Sequence, residues 1–148
     1  EVKNISRNLM PDVLWQFGLK PAIEDLVYKW NTTVELEISL ELVDMNARFS
    51  PELEKALFRI CQELVNNSIC HGQANRVYVQ LIKHGNSIVL MVEDDGIGFD
   101  PKEASTVFGL RNIWSRAEVF EGRVEIDSGP NRGTVTTVEV PLNNSLTR

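Results

Sequence analysis

Apolar positions recur along this chain with two periods, and the changes from one to the other mark its elements. Between Leu9 and Trp30, Leu14, Trp15, Leu19, Ile23, Leu26 and Val27 repeat at helical spacing, with Pro11 at a helix start and Gly18 as an interruption. That pattern predicts two short helices. Thr33 to Val43 then alternates strictly, with Val34, Leu36, Ile38, Leu40 and Leu42 on one side and Glu35, Glu37, Ser39 and Glu41 on the other. A strand with one wet face is expected there. Ser50-Pro51 followed by Glu52 and Glu54 supplies an N-cap, a first-turn proline and acids at the positive end of a helix dipole, so a long helix should run to about Cys70. Arg76–Lys83 and Ser87–Glu93 are strand-like and flank His84-Gly85-Asn86, which predicts a hairpin. Asp94 to Phe108 loses all periodicity and reads as a loop. A helix from Gly109 to Phe120 and two strands, Arg123–Asp127 and Thr134–Val140, complete the pattern. Both strand pairs demand antiparallel neighbours, so the fold class expected is α+β: a two-layer α/β sandwich with a mixed, mainly antiparallel sheet and helices over one face.

Composition narrows what such a fold can do. At 148 residues with 43% hydrophobic content, the chain is long enough for one domain with its own core. A net charge of -6 argues against a duplex nucleic-acid partner, which requires clustered Lys and Arg. The apolar runs Val34–Val43 and Ile88–Val92 are too short to span a bilayer, no stretch resembles a signal peptide, and no direct membrane contact is expected. Cys61 and Cys70 share one helix, have no zinc-type spacing and read as reduced core thiols.

Four short stretches carry candidate chemistry. On the long helix Leu53, Leu57, Ile60 and Leu64 form an apolar stripe, while Arg59, Glu63 and Asn67, joined by Asn66, form a polar line beside it. Because Cys61, Val65 and Ile69 make the far side apolar too, the polar line should face a pocket; an exposed stripe with an Arg59–Glu63 pair is the bland alternative. Asp94-Asp95-Gly96-Ile97-Gly98-Phe99 sits at a strand end, where a carboxylate can accept from an exocyclic amine and glycines admit a flat ligand. Its spacing fits neither a calcium loop nor a dinucleotide fingerprint. Gly109-Leu110-Arg111 opens a helix, where free amides favour phosphate, with Arg111 and Arg116 as possible charge partners. Ser128 and Gly133-Thr134 flank the last turn, where a hydroxyl could reach a base through water. No GxxxxGK[ST] pattern occurs.

In this order the four stretches resemble the asparagine box and the three glycine boxes of the GHKL superfamily, the Bergerat-fold ATPases that include gyrase, Hsp90, MutL and the histidine kinases. The opening Leu9-Met10-Pro11 to Gly18-Leu19, the run Arg59 to Glu63, Asn67 to His71 and Gly109 to Arg116 further resemble sensor histidine kinases paired with NarL-type response regulators, and the likeness covers nearly the whole chain. The resemblance implies a catalytic domain that moves the γ-phosphoryl of Mg-ATP to a histidine on a separate dimerisation domain and on to a response regulator. It implies ATP and Mg²⁺ as cofactors, a homodimeric full-length protein and a cytoplasmic location. Asn67 would ligate Mg²⁺ with Glu63 as catalytic base or orienter of metal-bound water; Asp94 would accept from adenine; Gly96, Gly98 and Phe99 would shape its pocket; Gly109, Leu110 and Arg111 would serve the phosphates; and Thr134 would support the base. Residues 1–30 would be a helical linker from the dimerisation domain and 31–148 the catalytic domain. Cys70 stands where the family has Lys or Arg, and the lid between Phe99 and Phe108 is short. His71 matches a position inside the catalytic domain and is not read as the acceptor. A hydrolytic ATPase switch and a non-catalytic nucleotide-binding scaffold are the rival readings.

Overall fold

The computed structural model describes residues 10–100, 102–103 and 110–142. Its elements are α1 (Asp12–Phe17), α2 (Leu19–Thr33), β1 (Glu37–Val43), α3 (Pro51–Cys70), β2 (Arg76–His84), β3 (Ser87–Asp94), α4 (Leu110–Val119), β4 (Arg123–Ser128) and β5 (Thr134–Pro141). The five strands form one sheet in the order β1-β2-β3-β5-β4. Only β1 and β2 run parallel, joined through α3, and the remaining pairs are antiparallel. The mixed sheet expected from the periodicity is therefore present.

Helix α3 organises the second layer. Ser50 accepts from the Leu53 N–H at 3.2 Å, and Pro51 occupies the first turn, where its missing N–H costs nothing. The stripe Leu53, Leu57, Ile60, Leu64 is buried, as are Cys61 and Val65 on the adjoining side. They pack over the inward positions of the sheet, Val77, Val79 and Leu81 of β2, Ile88, Leu90 and Val92 of β3, and Val138 and Val140 of β5. Each such aliphatic side chain contributes about 1.5–3 kcal/mol by leaving water. On the other face of the sheet Tyr78, Gln80 and Met91 are only half-buried and Glu93 is exposed, which fixes a two-layer arrangement with one open side.

The N-terminal helices belong to the same core. Leu14, Leu19, Ala22, Ile23, Leu26, Val27 and Trp30 are buried in it. Arg48 ties α1 to α3: its guanidinium meets both Glu54 carboxylate oxygens at 3.0 Å and reaches the carbonyls of Trp15 and Gln16 at 3.3 Å. Glu54, read from sequence as a first-turn acid, is thus a buried ion-pair partner that also accepts from the Phe49 N–H at 3.1 Å.

Two expectations need correction. α2 continues through Thr33, and β1 begins at Glu37 rather than Thr33. The alternation at Val34 and Leu36 is real, but it covers a connector pinned by Asn31, whose side-chain amide bonds both the N–H and the C=O of Ile38 on the free edge of β1. Cys61 is a core thiol whose pKa burial pushes up to about 12, whereas Cys70 is half-buried and donates to Asn66 Oδ1 at 3.4 Å. Among the described residues no helix is long and apolar enough to cross a membrane.

Candidate nucleotide-binding site

The site lies where central strand β3 ends. Asp94 is its last paired residue, opposite Val77 on one side and Thr134 on the other. The chain then bends across the C-terminus of α3, and each step of the bend is held. Asp95 Oδ1 accepts the N–H groups of Arg76 at 3.0 Å and Asn75 at 2.9 Å, and the Arg76 N–H does most to hold the Asp95 carboxyl below the usual carboxylate range. The Ile97 N–H donates to the Gly72 carbonyl at 2.8 Å, so close that a Cβ on Gly96 would collide with that same carbonyl. Gly98 sits at φ +66 and turns its bare Cα onto the Gly129 carbonyl. Beyond it the Phe99 N–H donates to Ser128 Oγ at 2.9 Å, and that oxygen also lies 2.9 Å from Thr134 Oγ1 and 3.0 Å from the Gly133 carbonyl.

These glycines are required by packing as much as by ligand. Gly98→Ala should cost more than the roughly 1–2 kcal/mol of a left-handed backbone alone, because the methyl also meets Gly129. Denaturant unfolding will measure it; a loss below about 0.5 kcal/mol, within the range of neutral surface changes, would show the turn to be plastic.

The carboxylate of Asp94 is fixed at both oxygens. Oδ1 accepts from the Gly96 N–H at 2.9 Å, and Oδ2 lies 2.6 Å from Ser68 Oγ, which is itself 3.2 Å from the Leu64 carbonyl. It borders a cavity of about 220 Å³ lined by Leu64, Asn67, Ser68, His71, Gly72, Val92, Asp94, Gly98, Phe99, Leu110, Thr134 and Thr136. Leucine, valine and phenylalanine make the walls, and one oriented carboxylate, an amide and hydroxyls supply the polar points. Such a cavity suits a flat heteroaromatic ring with an exocyclic amine. Among the described lining residues none is Lys or Arg.

Of the residues singled out from sequence, Asn67, Asp94, Gly98, Phe99, Leu110 and Thr134 line this cavity, and Gly96 stands directly behind Asp94. Arg111 is exposed on the first turn of α4 and does not line it, and Gly109 lies outside the described residues, as does most of the expected lid. Asn66 does not join the polar line: it is 2% exposed and faces Cys70, because one residue along a helix is a rotation of about 100°. Glu63, one turn before Asn67, is half-buried and is not among the residues lining the cavity. One turn earlier, the Arg59 guanidinium is held below its ordinary range first by burial and then by the charge of Arg116, with Glu63 partly offsetting both.

Ser68, Gly72 and Thr136 escaped the sequence reading. Thr136 carried a signal, a polar residue on the face of β5 that goes on to Val138 and Val140, and it is 3% exposed in the structure. Ser68 carried one too, since it follows Leu64 at four-residue spacing on the helix face that Asn67 borders.

The oxygen Oδ1 of Asn67 is buried and accepts no hydrogen bond from the described residues. A buried amide oxygen without a donor is costly, and a neutral hard oxygen on a cavity wall could serve a Mg²⁺ ion whose other ligands are phosphate and water.

Comparison with known proteins agrees with this geometry. Residues 52–144 match the family model described as histidine kinase-, DNA gyrase B-, and HSP90-like ATPase. The oxygen sensor histidine kinase NreB of Staphylococcus carnosus is 34% identical over 146 residues, 96% of this chain and 42% of its own length. The signal transduction histidine-protein kinase/phosphatase DegS of Bacillus subtilis is 33% identical over 163 residues, again 96% of this chain and 42% of its own. The chain thus spans less than half of these relatives. Among solved structures, the blue-light activated histidine kinase of Erythrobacter litoralis EL346 superposes with a TM-score of 0.72 at 17% identity, covering 90% of this chain and 46% of that one. The ATP-binding domain of PrrB from Mycobacterium tuberculosis gives 0.61 at 20% identity, covering 83% and 90%. Fold, cavity and sequence converge, and the chain belongs to the histidine kinase-, DNA gyrase B-, and HSP90-like ATPase family.

Proposed function

We propose that this domain binds ATP with Mg²⁺ and transfers the γ-phosphoryl group to a histidine on a separate dimerisation domain, from which it passes to an aspartate of a NarL-type response regulator. The observation that carries this reading is the Asp94 carboxylate, held at both oxygens beside an apolar cavity, with the donor-free Asn67 oxygen in the same wall. Asp94 accepts from the adenine amine, Gly96 and Gly98 admit the ring, and Phe99, Leu64, Val92 and Leu110 enclose it. Thr134, hydrogen-bonded to Ser128, steadies the base end. Leu110 and Arg111 open α4, where backbone amides and the helix dipole favour anions, and these with Gly109 would serve the phosphates.

Asn67 would hold Mg²⁺, with Glu63 one turn away as a further oxygen. When bound, the ion neutralises phosphate charge. In the transfer a nitrogen of the acceptor histidine attacks the γ-phosphorus in line, a P–N bond forms, the bond to the β,γ-bridging oxygen breaks and ADP leaves with that oxygen. Glu63 assists by taking up or orienting the proton on the acceptor ring. The linker of residues 1–30 joins the upstream dimerisation domain, the full-length protein is a homodimer, and the cytoplasm supplies its ATP.

The test is labelling from γ-labelled ATP. This chain alone is expected to stay unlabelled: His71 caps the C-terminus of α3, fixed by its N–H to the Asn67 carbonyl, and His84 ends β2 at the far end of the hairpin from Asp94. A histidine-bearing dimerisation domain added in trans should acquire acid-labile label. Strong acid-labile labelling of this chain alone, abolished by His71→Gln, would overturn the split arrangement.

A further inference from the structure

The three hydroxyls on the cavity wall differ in where their protons go. Ser68 Oγ stands 2.6 Å from Asp94 Oδ2, the length of a hydroxyl bond to an anion, so its proton belongs to that carboxylate. Thr134 Oγ1 lies 2.9 Å from Ser128 Oγ, which accepts the Phe99 N–H and lies 3.0 Å from the Gly133 carbonyl, so Thr134 already shares in a set of protein bonds. Thr136 has no such partner: it is 3% exposed, lines the cavity, and its hydroxyl bonds to no described residue. Its oxygen is not sealed in as Asn67 Oδ1 is, and the cavity is where it opens. The sheet register gives its place. Asp94 pairs with Thr134 and Val92 with Thr136, so Thr136 shares the face of Thr134 one inward position farther from the strand end. Its neighbours across the two adjoining strands are Val92 and Ile126, among which a valine would pack as well and leave no hydroxyl unpaired.

We propose that Thr136 is a base-binding residue that donates its hydroxyl proton to the ring nitrogen N1 of adenine, beside the exocyclic amine received by Asp94. The role rests on the reading above, in which this cavity takes the base of ATP. An ionised carboxylate can only accept, so Asp94 alone recognises an amine and nothing next to it. Adenine carries a bare acceptor nitrogen beside its amine, and burying that nitrogen in an apolar cavity without a donor is unfavourable. Of the three hydroxyls, the one without a protein acceptor is the one free to meet it. Asp94 and Thr136 together read the adjoining donor and acceptor on one edge of the ring.

The experiment measures competition of ATP, 1-deaza-ATP and 7-deaza-ATP against a fluorescent nucleotide on this chain, as wild type, Thr136→Val and Thr136→Ser. In 1-deaza-ATP a C–H replaces N1; in 7-deaza-ATP the change lies on the other ring. Wild type should hold ATP about 3- to 10-fold more tightly than 1-deaza-ATP, the worth of one ordinary hydrogen bond. Thr136→Val should weaken ATP by about the same factor and leave 1-deaza-ATP nearly unchanged, because the two deletions remove a single contact. Thr136→Ser keeps a hydroxyl and should keep most of the preference. Neither variant should alter the ratio of ATP to 7-deaza-ATP. The melting temperature of Thr136→Val without nucleotide should hold or rise, since an unpaired hydroxyl leaves a buried position, so lost affinity is separable from lost fold. Should Thr136→Val nevertheless unfold, the wild-type preference for N1, kept by Thr136→Ser and lost in Thr136→Ala, supports the proposal in its place. A wild type indifferent to N1, or a Thr136→Val that retains the preference, would overturn it. Equal weakening of ATP and 1-deaza-ATP by Thr136→Val would make Thr136 a packing residue and overturn it too. In each of these cases ATP binding that Asp94→Asn weakens leaves the reading of the cavity standing. A wild type that binds no adenine nucleotide would remove that reading and the proposal together.

Discussion

Asn67→Ala is expected to weaken Mg-ATP binding by about 10- to 100-fold, the equivalent of about 1.5–3 kcal/mol for one interaction with a charged group. Binding of ATP in EDTA should change far less. The difference follows from the state of the amide: its oxygen is buried, borders the cavity and accepts no hydrogen bond among the described residues, so within them no protein donor depends on it. Removing it relieves an unsatisfied acceptor in the free protein while taking a ligand from the metal. The melting temperature without nucleotide should therefore hold or rise slightly. Calorimetry with and without Mg²⁺ separates the two effects, and equal losses under both conditions would make Asn67 a structural amide.

Helices and hairpins could be read from the chain because their signals are local. Ser50 and Pro51 start α3 by bonds and constraints within one turn, and the Gly85-Asn86 turn, with Gly85 at φ +59, closes β2 onto β3 with residues that such a turn demands. The glycines of the Asp94–Phe99 stretch stood out for the same reason, although what forbids a side chain at Gly96 is the distant carbonyl of Gly72. Harder to foresee was anything settled by a partner far along the chain. The alternation from Val34 to Leu36 says nothing of Asn31 folding back on Ile38, and that contact places the start of β1. Nor does periodicity state that β1 lies parallel to β2 or that β5 inserts between β3 and β4. In the site, Asp94 was readable as an acceptor at a strand end, but Ser68, which orients it, was hidden because a serine inside a helix ordinarily bonds its own turn. Asn66 misled for the opposite reason: adjacency in sequence suggested a shared face, and helix geometry places it elsewhere.

That same serine sharpens the outcome expected for Asp94→Asn. The substitution is nearly isosteric, and the neighbours can accommodate it. The amide oxygen can keep the Gly96 N–H at 2.9 Å, while the new NH₂ replaces Oδ2 and can donate to Ser68 Oγ, leaving that hydroxyl to donate to the Leu64 carbonyl already 3.2 Å away. Stability should move by no more than about 1 kcal/mol, the net worth of an ordinary hydrogen bond. Recognition should suffer much more, because a group that accepted from an adenine amine now points a donor at it. A donor is, however, what the 6-oxo group of guanine would accept. ATP affinity is therefore expected to fall by about 10- to 100-fold, and the preference for ATP over GTP to shrink by at least as much, since a site built to bond a polar group discriminates most strongly when that group is mismatched. Ser68→Ala should give a smaller loss of ATP affinity with the preference retained, because the carboxylate would keep its Gly96 bond but lose one restraint on its orientation. Competition of ATP and GTP against a fluorescent nucleotide, run on both variants, measures the ratio. An ATP-to-GTP preference that survives Asp94→Asn would show that the base is read at another point of the cavity, with Thr134 and Thr136 the next polar groups along its wall.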